Sequence, residues 1–162
     1  MNRESRIENR ESGSEQRQRI STFEDLEVYQ AAREFRRALY RIAKQLPEIE
    51  KFGLASQIRR AALSLTNNVA EGHGRYHFPD QIKFTLQSRG SLEELLDDLN
   101  TCDDERYARS SDVDALKDQG WRVRQLLDGY IRYLRQQTTS GALRVKDGKW
   151  EDEDAGDSRF SI

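Results

Sequence analysis

The sequence predicts an all-α protein, an antiparallel up-down-up-down four-helix bundle. Between residues 23 and 137, apolar side chains recur at alternating spacings of three and four, which is typical of helices with one buried face. No segment alternates apolar and polar residues over a useful length, so no strand is predicted. Four helical segments can be delimited. The short connections between them favour antiparallel packing of sequential neighbours.

The first predicted helix covers residues 23–46. Ser21 and Glu24 form a candidate capping box, and Pro47 ends the helix because a proline disfavours helical geometry in the residue before it. The second predicted helix covers residues 54–71, and two glycines shortly after it are typical of a helix end.

The third predicted helix begins near Pro79, a residue that suits the first turn, and its buried face extends to Cys102. Ser111 is a candidate cap for the fourth helix. That helix has apolar residues at heptad spacing from Val113 to Leu134.

The chain divides into a bundle and two polar tails. Residues 1–21 have too few apolar side chains to fold alone, residues 22–137 form the bundle, and residues 138–162 form an acidic tail. We expect both tails to be disordered, although Trp150 and Phe160 in the second tail could contact a partner.

Composition excludes several classes of protein. No apolar run approaches the roughly 18 residues that a membrane-spanning helix needs. Polar residues follow Met1 in place of a hydrophobic signal region, so we expect a cytoplasmic protein. Cys102 is the single cysteine, which excludes an internal disulfide and a cysteine-rich metal site.

Candidates for catalysis are few. His73 and His77 are four residues apart, a spacing that suits metal ligands on a helix, and Glu71 could add a carboxylate, but the surrounding glycines and proline favour a loop. The chain also lacks the Glu-x-x-His pattern of di-iron bundles. We therefore expect no enzymatic activity, no catalytic residues, no metal and no cofactor.

Three segments resemble one family: FEDLEVYQAA at 23–32, SQIRRAALSLTNNVAEGHGR at 56–75 and SRGSLEEL at 88–95. They are similar to the four-helix-bundle proteins encoded in intervening sequences of bacterial large-subunit ribosomal RNA genes. The residues that carry the resemblance are Phe23, Leu26, Tyr29, Ala32, Gln57, Ile58, Arg59, Arg60, Ala61, Asn68, Val69, Ala70, Glu71, Gly72, Gly90, Ser91, Leu92, Glu94 and Leu95.

The resemblance implies a homo-oligomer, specifically a ring-shaped pentamer. One branch of the family comprises accessory proteins of diversity-generating retroelements, which work with a reverse transcriptase and its template RNA. The resemblance therefore implies RNA or a reverse transcriptase as a partner. Those relatives tend to be markedly basic, whereas this chain has a net charge of −2.

Several residues are candidates for a structural role or an oligomer interface: Asn67, Asn68, Glu71, Gly90 and Ser91. The two amides either cap the helix end or join an interfacial polar network with Glu71 and the upstream arginines. A mid-helix glycine indicates that another backbone comes close, either within the bundle or in another subunit. A second apolar face, which also favours association, comprises Phe84, Leu86, Leu96, Leu126, Ile131 and Tyr133.

A basic ridge on the first helix is the best candidate for a functional surface. Arg33, Arg37, Arg41 and Lys44 fall within about 80° of one another at 100° per residue, opposite the buried face. Such a ridge can contact nucleic-acid phosphates, although a run of charges is also typical of a solvated face. Further cations on the fourth helix are Arg122, Arg124, Arg132 and Arg135.

Two functions follow as hypotheses. In the first, the protein is a non-enzymatic oligomer that associates with nucleic acid, as structured RNA or an RNA–protein complex, through the basic ridge. In the second, it is a scaffold for protein–protein interaction without nucleic-acid binding, and it uses its apolar outer faces or the aromatic residues of the acidic tail.

Overall fold

A computed structural model describes residues 22–147, with side chains as far as residue 141. This part of the chain forms four α-helices: α1 (Glu27–Gln45), α2 (Leu54–His73), α3 (Phe78–Asp104) and α4 (Ser110–Asp147). A 3₁₀ helix, Phe23–Asp25, precedes α1, and another, Glu48–Glu50, lies between α1 and α2. The described residues contain no strand, and the all-α prediction is confirmed.

Sequential helices are antiparallel. Between α2 and α3, Ser64 Oγ lies 2.9 Å from Ser91 Oγ, while Gly72, later in α2, lies against Phe84, earlier in α3. Pairs of residues also join the other neighbours: Arg36–Thr66 and Tyr40–Arg59 for α1 and α2, Arg89–Asp128 and Lys117–Asn100 for α3 and α4, and Arg122–Glu27 for α1 and α4. The predicted up-down-up-down order is confirmed.

The core consists of the faces that the apolar spacing predicts. On α1, Val28, Ala32, Phe35, Leu39 and Ile42 are all buried. The largest fully buried side chains of the other helices are Ile58, Leu65 and Val69 in α2, Leu92, Leu95 and Leu99 in α3, and Val113, Val123, Leu127 and Leu134 in α4. Burial of these side chains removes apolar surface from water, which is the main favourable contribution to folding.

The start of the bundle differs from the sequence prediction by one residue. The capping box joins Thr22 and Asp25 rather than Ser21 and Glu24, and Ser21 lies outside the described residues. The box stabilises the 3₁₀ helix, and extended backbone at Leu26 separates that helix from α1. The first helical segment is therefore two elements rather than one.

The predicted second apolar face is only partly at the surface. Leu96 and Ile131 are buried, because α3 and α4 bury a wider stripe than a strict heptad seam provides. The other four residues lie at or near the surface: Leu86 and Tyr133 are exposed, and Phe84 and Leu126 are half-buried.

Close helix packing occurs at Gly120 rather than at Gly90. A Cβ placed on Gly120 would lie 2.7 Å from Leu96 Cδ2 and 3.2 Å from Phe35 Cζ, so a larger residue there would require these two side chains to shift. A Cβ on Gly90 would meet no described atom within 4 Å. The close approach predicted at Gly90 therefore does not occur within the described bundle, which leaves the alternative of another subunit.

The last helix continues to Asp147, beyond residue 137, where the sequence placed the end of the bundle. Residues 1–21 and 148–162, which include Trp150 and Phe160, lie outside the described residues. Among helices in the described part of the chain, none has both the length and the apolar character to cross a membrane.

Candidate nucleic-acid interface

The basic ridge lies on the solvent side of α1. Arg33, Arg37, Arg41 and Lys44 are all exposed, and the apolar face of the same helix packs into the core. The helix holds these four cations in a row because they are separated by three or four residues, which is about one turn. Contact between the ridge and nucleic acid stays a prediction from the sequence.

A groove between α1 and α2 adjoins the ridge. Its volume is about 530 Å³, and three ridge residues line it, namely Arg37, Arg41 and Lys44. The other lining residues are Arg36, Tyr40 and Leu63, and we call this feature the basic groove. Arg33 lies outside the lining.

Hydrogen bonds to α2 fix the α1 wall of the basic groove. Arg36 Nη1 donates to Thr66 Oγ1 at 2.7 Å, and the Thr66 hydroxyl in turn donates to the Leu63 carbonyl at 3.2 Å. The Tyr40 hydroxyl lies 3.4 Å from the Arg59 carbonyl, to which it donates. These contacts limit the freedom of Arg36 and Tyr40, so both are placed before any ligand arrives.

Most of the ridge charge is not neutralised. Arg37 pairs with Glu34 at 3.2 Å, but both side chains are well exposed, and such pairs contribute little. Within residues 22–141, whose side chains are described, no carboxylate lies within ion-pair distance of Arg33, Arg41 or Lys44. Three cations are therefore available to an external anion.

Arginines between α3 and α4 have a different environment. Arg89 pairs with Asp128 at 2.9 Å, and Arg124 pairs with Asp128 at 3.2 Å and with Glu93. One carboxylate thus holds an arginine from each of two helices. These guanidinium groups connect α3 to α4 rather than face a ligand.

The four arginines of α4 that the sequence offers as further cations divide into two kinds. Arg122 pairs with Glu27 of α1 at 3.4 Å, and Arg124 belongs to the cluster with Asp128. Arg132 and Arg135 have no ion-pair partner within the described residues, and both line a cavity beside Leu86. The predicted second basic surface is therefore limited to Arg132 and Arg135.

The two amides of the family motif have different surroundings. Asn67 is exposed, whereas Asn68 is half-buried and donates to the Ser64 carbonyl at 2.9 Å and to Ser64 Oγ at 3.1 Å. Because Ser64 Oγ also lies beside Ser91 Oγ, the Asn68 amide belongs to a small polar cluster between α2 and α3. Asn68 thus bonds back to the preceding turn of its own helix rather than to the helix end.

The charged residues do not join this cluster. Glu71 is exposed and pairs with Arg75, and Arg59 donates to the Lys51 carbonyl at 3.2 Å. The network that would link the amides to Glu71 and the upstream arginines is therefore not formed in the described part of a single chain. Gly90 is exposed on the neighbouring helix.

The histidines lie at a connection between helices. His73 is the last residue of α2 rather than part of a loop, and His77 is the N-cap of α3, with the Tyr76 ring packed edge-on at 5.0 Å between centroids. Among the described residues, no group of three or more His, Cys, Asp or Glu side chains is placed to hold a metal ion.

Two buried titratable groups lie on α3, away from the basic groove. Burial, together with the neighbouring Glu94 and Asp97 carboxylates, raises the pKa of the Asp98 carboxyl to about 6. Burial also raises the pKa of the Cys102 thiol to about 11, so this cysteine is a protonated core residue at neutral pH.

One family accounts for most of the bundle. The sequence model of the 23S rRNA-intervening sequence protein family matches residues 24–129. The chain belongs to this family. The matched part of the chain contains α1, α2, α3 and the first half of α4, with the whole basic groove. A search among curated proteins found no match.

Three groove residues were missing from the sequence prediction. Arg36 and Tyr40 lie on the flank of α1 that packs towards α2, and Leu63 is an exposed apolar residue outside the α2 seam. Helical periodicity alone could place Arg36 and Tyr40 beside the ridge. It could not show that α2 supplies Leu63 opposite them.

Proposed function

We propose that this member of the family is a non-enzymatic, homo-oligomeric protein that associates with structured RNA, alone or in an RNA–protein complex. The observation that carries the proposal is the set of cations on α1 that have no carboxylate partner in the described bundle, namely Arg33, Arg41 and Lys44. The family name, which refers to intervening sequences of 23S rRNA, supports a role associated with nucleic acid.

The overall charge does not oppose this function. The chain has a net charge of −2, so attraction of phosphate must come from a local surface rather than from the whole molecule. Each cation that neutralises a phosphate releases a counterion, which makes binding weaker at higher salt. Four ridge cations that each contact one phosphate give a slope of log affinity against log salt of about −3.

The test is RNA binding by the full chain, measured by fluorescence anisotropy between about 50 and 200 mM salt. In the ridge variant, Arg33, Arg37, Arg41 and Lys44 are all changed to Glu. We expect its affinity to fall at least about 100-fold, because each lost phosphate contact costs on the order of 1 kcal/mol and the new charges repel RNA.

A matched control reverses four exposed cations outside both basic surfaces, Arg75, Lys83, Arg106 and Arg109. It has the same change in net charge, and we expect it to retain most of the affinity. Circular dichroism checks that both variants stay folded. Equal losses in the two variants would show that binding depends on net charge alone, and absence of binding by the natural chain would overturn the proposal.

A homo-oligomer is part of the proposal. Open space beside Gly90, next to the polar cluster of Ser64, Asn68 and Ser91, supports a contact with a second copy on the α2–α3 face. The pentamer, like the role beside a reverse transcriptase, comes from the family resemblance. Light scattering tests it: a pentamer has a mass five times that of the 18.9 kDa chain, and a monomer would contradict it.

A second candidate function is that of a protein-interaction scaffold. Ile49 and Phe52, between α1 and α2, are 84% and 89% exposed, which is unusual for large apolar side chains. Association through such residues is insensitive to salt. Capture of a protein partner that persists at high salt and is lost in the double variant Ile49→Ser, Phe52→Ser would favour this function.

A further inference from the structure

The basic groove contains apolar surface as well as charge. Leu63 is 44% exposed and the half-buried Tyr40 ring lies across from it, so both line the groove among the guanidinium groups of Arg36, Arg37 and Arg41. At about 530 Å³, the groove is within the usual size range of ligand-binding clefts, roughly 300–1,000 Å³. Cations that only neutralise phosphates would not need this apolar surface of Tyr40 and Leu63, which we call the apolar floor of the groove.

A groove that combines cations with apolar surface can bind paired and unpaired RNA differently. A duplex has its phosphates on the outside and its bases stacked inside. It can therefore contact the cations of the groove but not the apolar surface of Tyr40 and Leu63. An unpaired strand presents bases beside its phosphates, and aromatic or apolar side chains placed among cations are typical of proteins that bind single strands.

We propose that the basic groove holds an unpaired RNA strand, with a base against Tyr40 and Leu63 and the adjoining phosphates on Arg37, Arg41 and Lys44. This inference rests on the proposed RNA-associated function of the same face. It adds the class of ligand: the loop, bulge or single-stranded end of a structured RNA rather than its helical stem. The groove binds phosphates by charge and bases by contact.

The hydrogen bonds of the groove support this placement. The bond from Arg36 to the Thr66 hydroxyl holds that guanidinium at the α1 wall, and the bond from Tyr40 to the Arg59 carbonyl holds the tyrosine ring. A ring fixed in this way loses little conformational entropy when a base packs against it. Leu63 lies in the middle of α2, so the helix fixes its backbone.

The first measurement compares two forms of one RNA. A short oligonucleotide without self-complementarity is labelled and titrated with the full chain, alone and annealed to its complement, at the same salt. We expect the unpaired form to bind at least about tenfold more tightly, because base contacts add to the phosphate contacts. Equal binding, or tighter binding of the duplex, would overturn the inference.

The second measurement removes the apolar floor without changing charge. Leu63→Ser should weaken binding of the unpaired strand about fivefold or more and leave the salt slope and the duplex affinity unchanged. Leu86→Ser is the matched control, because Leu86 is 42% exposed on α3, away from the groove. An affinity of Leu63→Ser equal to that of the natural chain would contradict the base contact.

The two proposals fail in different ways. If neither form of RNA binds, the proposed function fails and the inference fails with it. If both forms bind equally and the ridge variant loses both, the RNA-associated function stands and the inference alone is wrong. Tyr40→Phe, which keeps the ring and removes the hydroxyl, should retain the preference for the unpaired strand, whereas Tyr40→Ala, which removes the ring, should lose it. Retention of the preference in Tyr40→Ala would show that the ring surface is not the contact.

Discussion

The α1–α2 face and the α3–α4 face both carry arginines, but only the second pairs them with carboxylates across a helix boundary. On the α3–α4 face, Asp128 contacts Arg89 from one helix and Arg124 from the other. On the α1–α2 face, Arg36 meets a hydroxyl group, and Arg41 and Lys44 meet no carboxylate of the described chain. Arginines therefore hold two helices together on the α3–α4 face, whereas the cations of the α1–α2 face give a positive electrostatic potential at the surface.

The difference shows why composition is a poor guide to the function of this chain. A net charge of −2 is an average over surfaces that behave in opposite ways. What matters for an anionic ligand is whether a cation is already paired and whether it lies beside a cavity. The basic groove meets both conditions with Arg41 and Lys44.

The largest expected effect is a change in stability, and it comes from a buried acidic group rather than from the exposed cations of α1. Asp98 on α3 is only 7% exposed, its Oδ2 atom has no hydrogen-bond partner, and its pKa is raised to about 6. Ionisation of a buried, unpaired carboxyl is costly, whereas the exposed cations of α1 stay hydrated. Asp98→Asn should therefore stabilise the protein at neutral pH by up to about 3 kcal/mol.

The pH dependence gives this prediction its sign. Because the folded pKa of Asp98 lies above its value of 3.8 in a model compound, the folded state favours the protonated form. The favourable contribution is complete at low pH and is lost as the pH rises from about 4 through about 6. Urea unfolding across this range should show the variant gaining stability over the natural chain, and a constant difference would contradict the prediction.

A smaller loss of stability is expected when the α3–α4 cluster is broken. Asp128→Ala removes the shared partner of Arg89 and Arg124, which are only partly exposed, and should lower the free energy of unfolding by about 1–2 kcal/mol. Glu34→Ala removes the exposed partner of Arg37 and should change it by less than about 0.5 kcal/mol. Urea denaturation of both variants tests the comparison directly, and equal losses would show that the two faces do not differ in cohesion.

Sequence pattern predicts the fold well because it reports the direction of a side chain around its own helix axis. Phe35 and Leu39 are buried, and Arg33 and Arg41 are exposed, as the spacing on α1 requires. The surroundings of Gly90 could not be predicted in this way. Its environment depends on what lies beyond α3, and no neighbour in the described bundle fills that space.

The candidate site was predictable in part for the same reason. The ridge depends on α1 alone and follows from spacing, whereas the groove depends on how α2 packs against α1. The contact between Arg36 and Thr66 joins residues 30 positions apart, and Leu63 enters the groove from the second helix. The periodicity of one helix contains no information about such a pairing, so the ridge was predicted, whereas Arg36, Tyr40 and Leu63 were missed.

The smallest expected effect sharpens the comparison on the α1 side. Glu34→Gln keeps the shape of the side chain, removes the one carboxylate that pairs with the ridge among the described side chains, and frees Arg37. Because that pair is exposed and screened, RNA affinity at low salt should rise only about two- to threefold, and stability should stay within about 0.5 kcal/mol. Glu105→Gln, the same substitution at the end of α3, is the control for a change of one unit in net charge. A similar gain in affinity in both variants would mean that RNA binding depends on the total charge of the protein. A gain confined to Glu34→Gln would mean that binding depends on the local charge of the ridge.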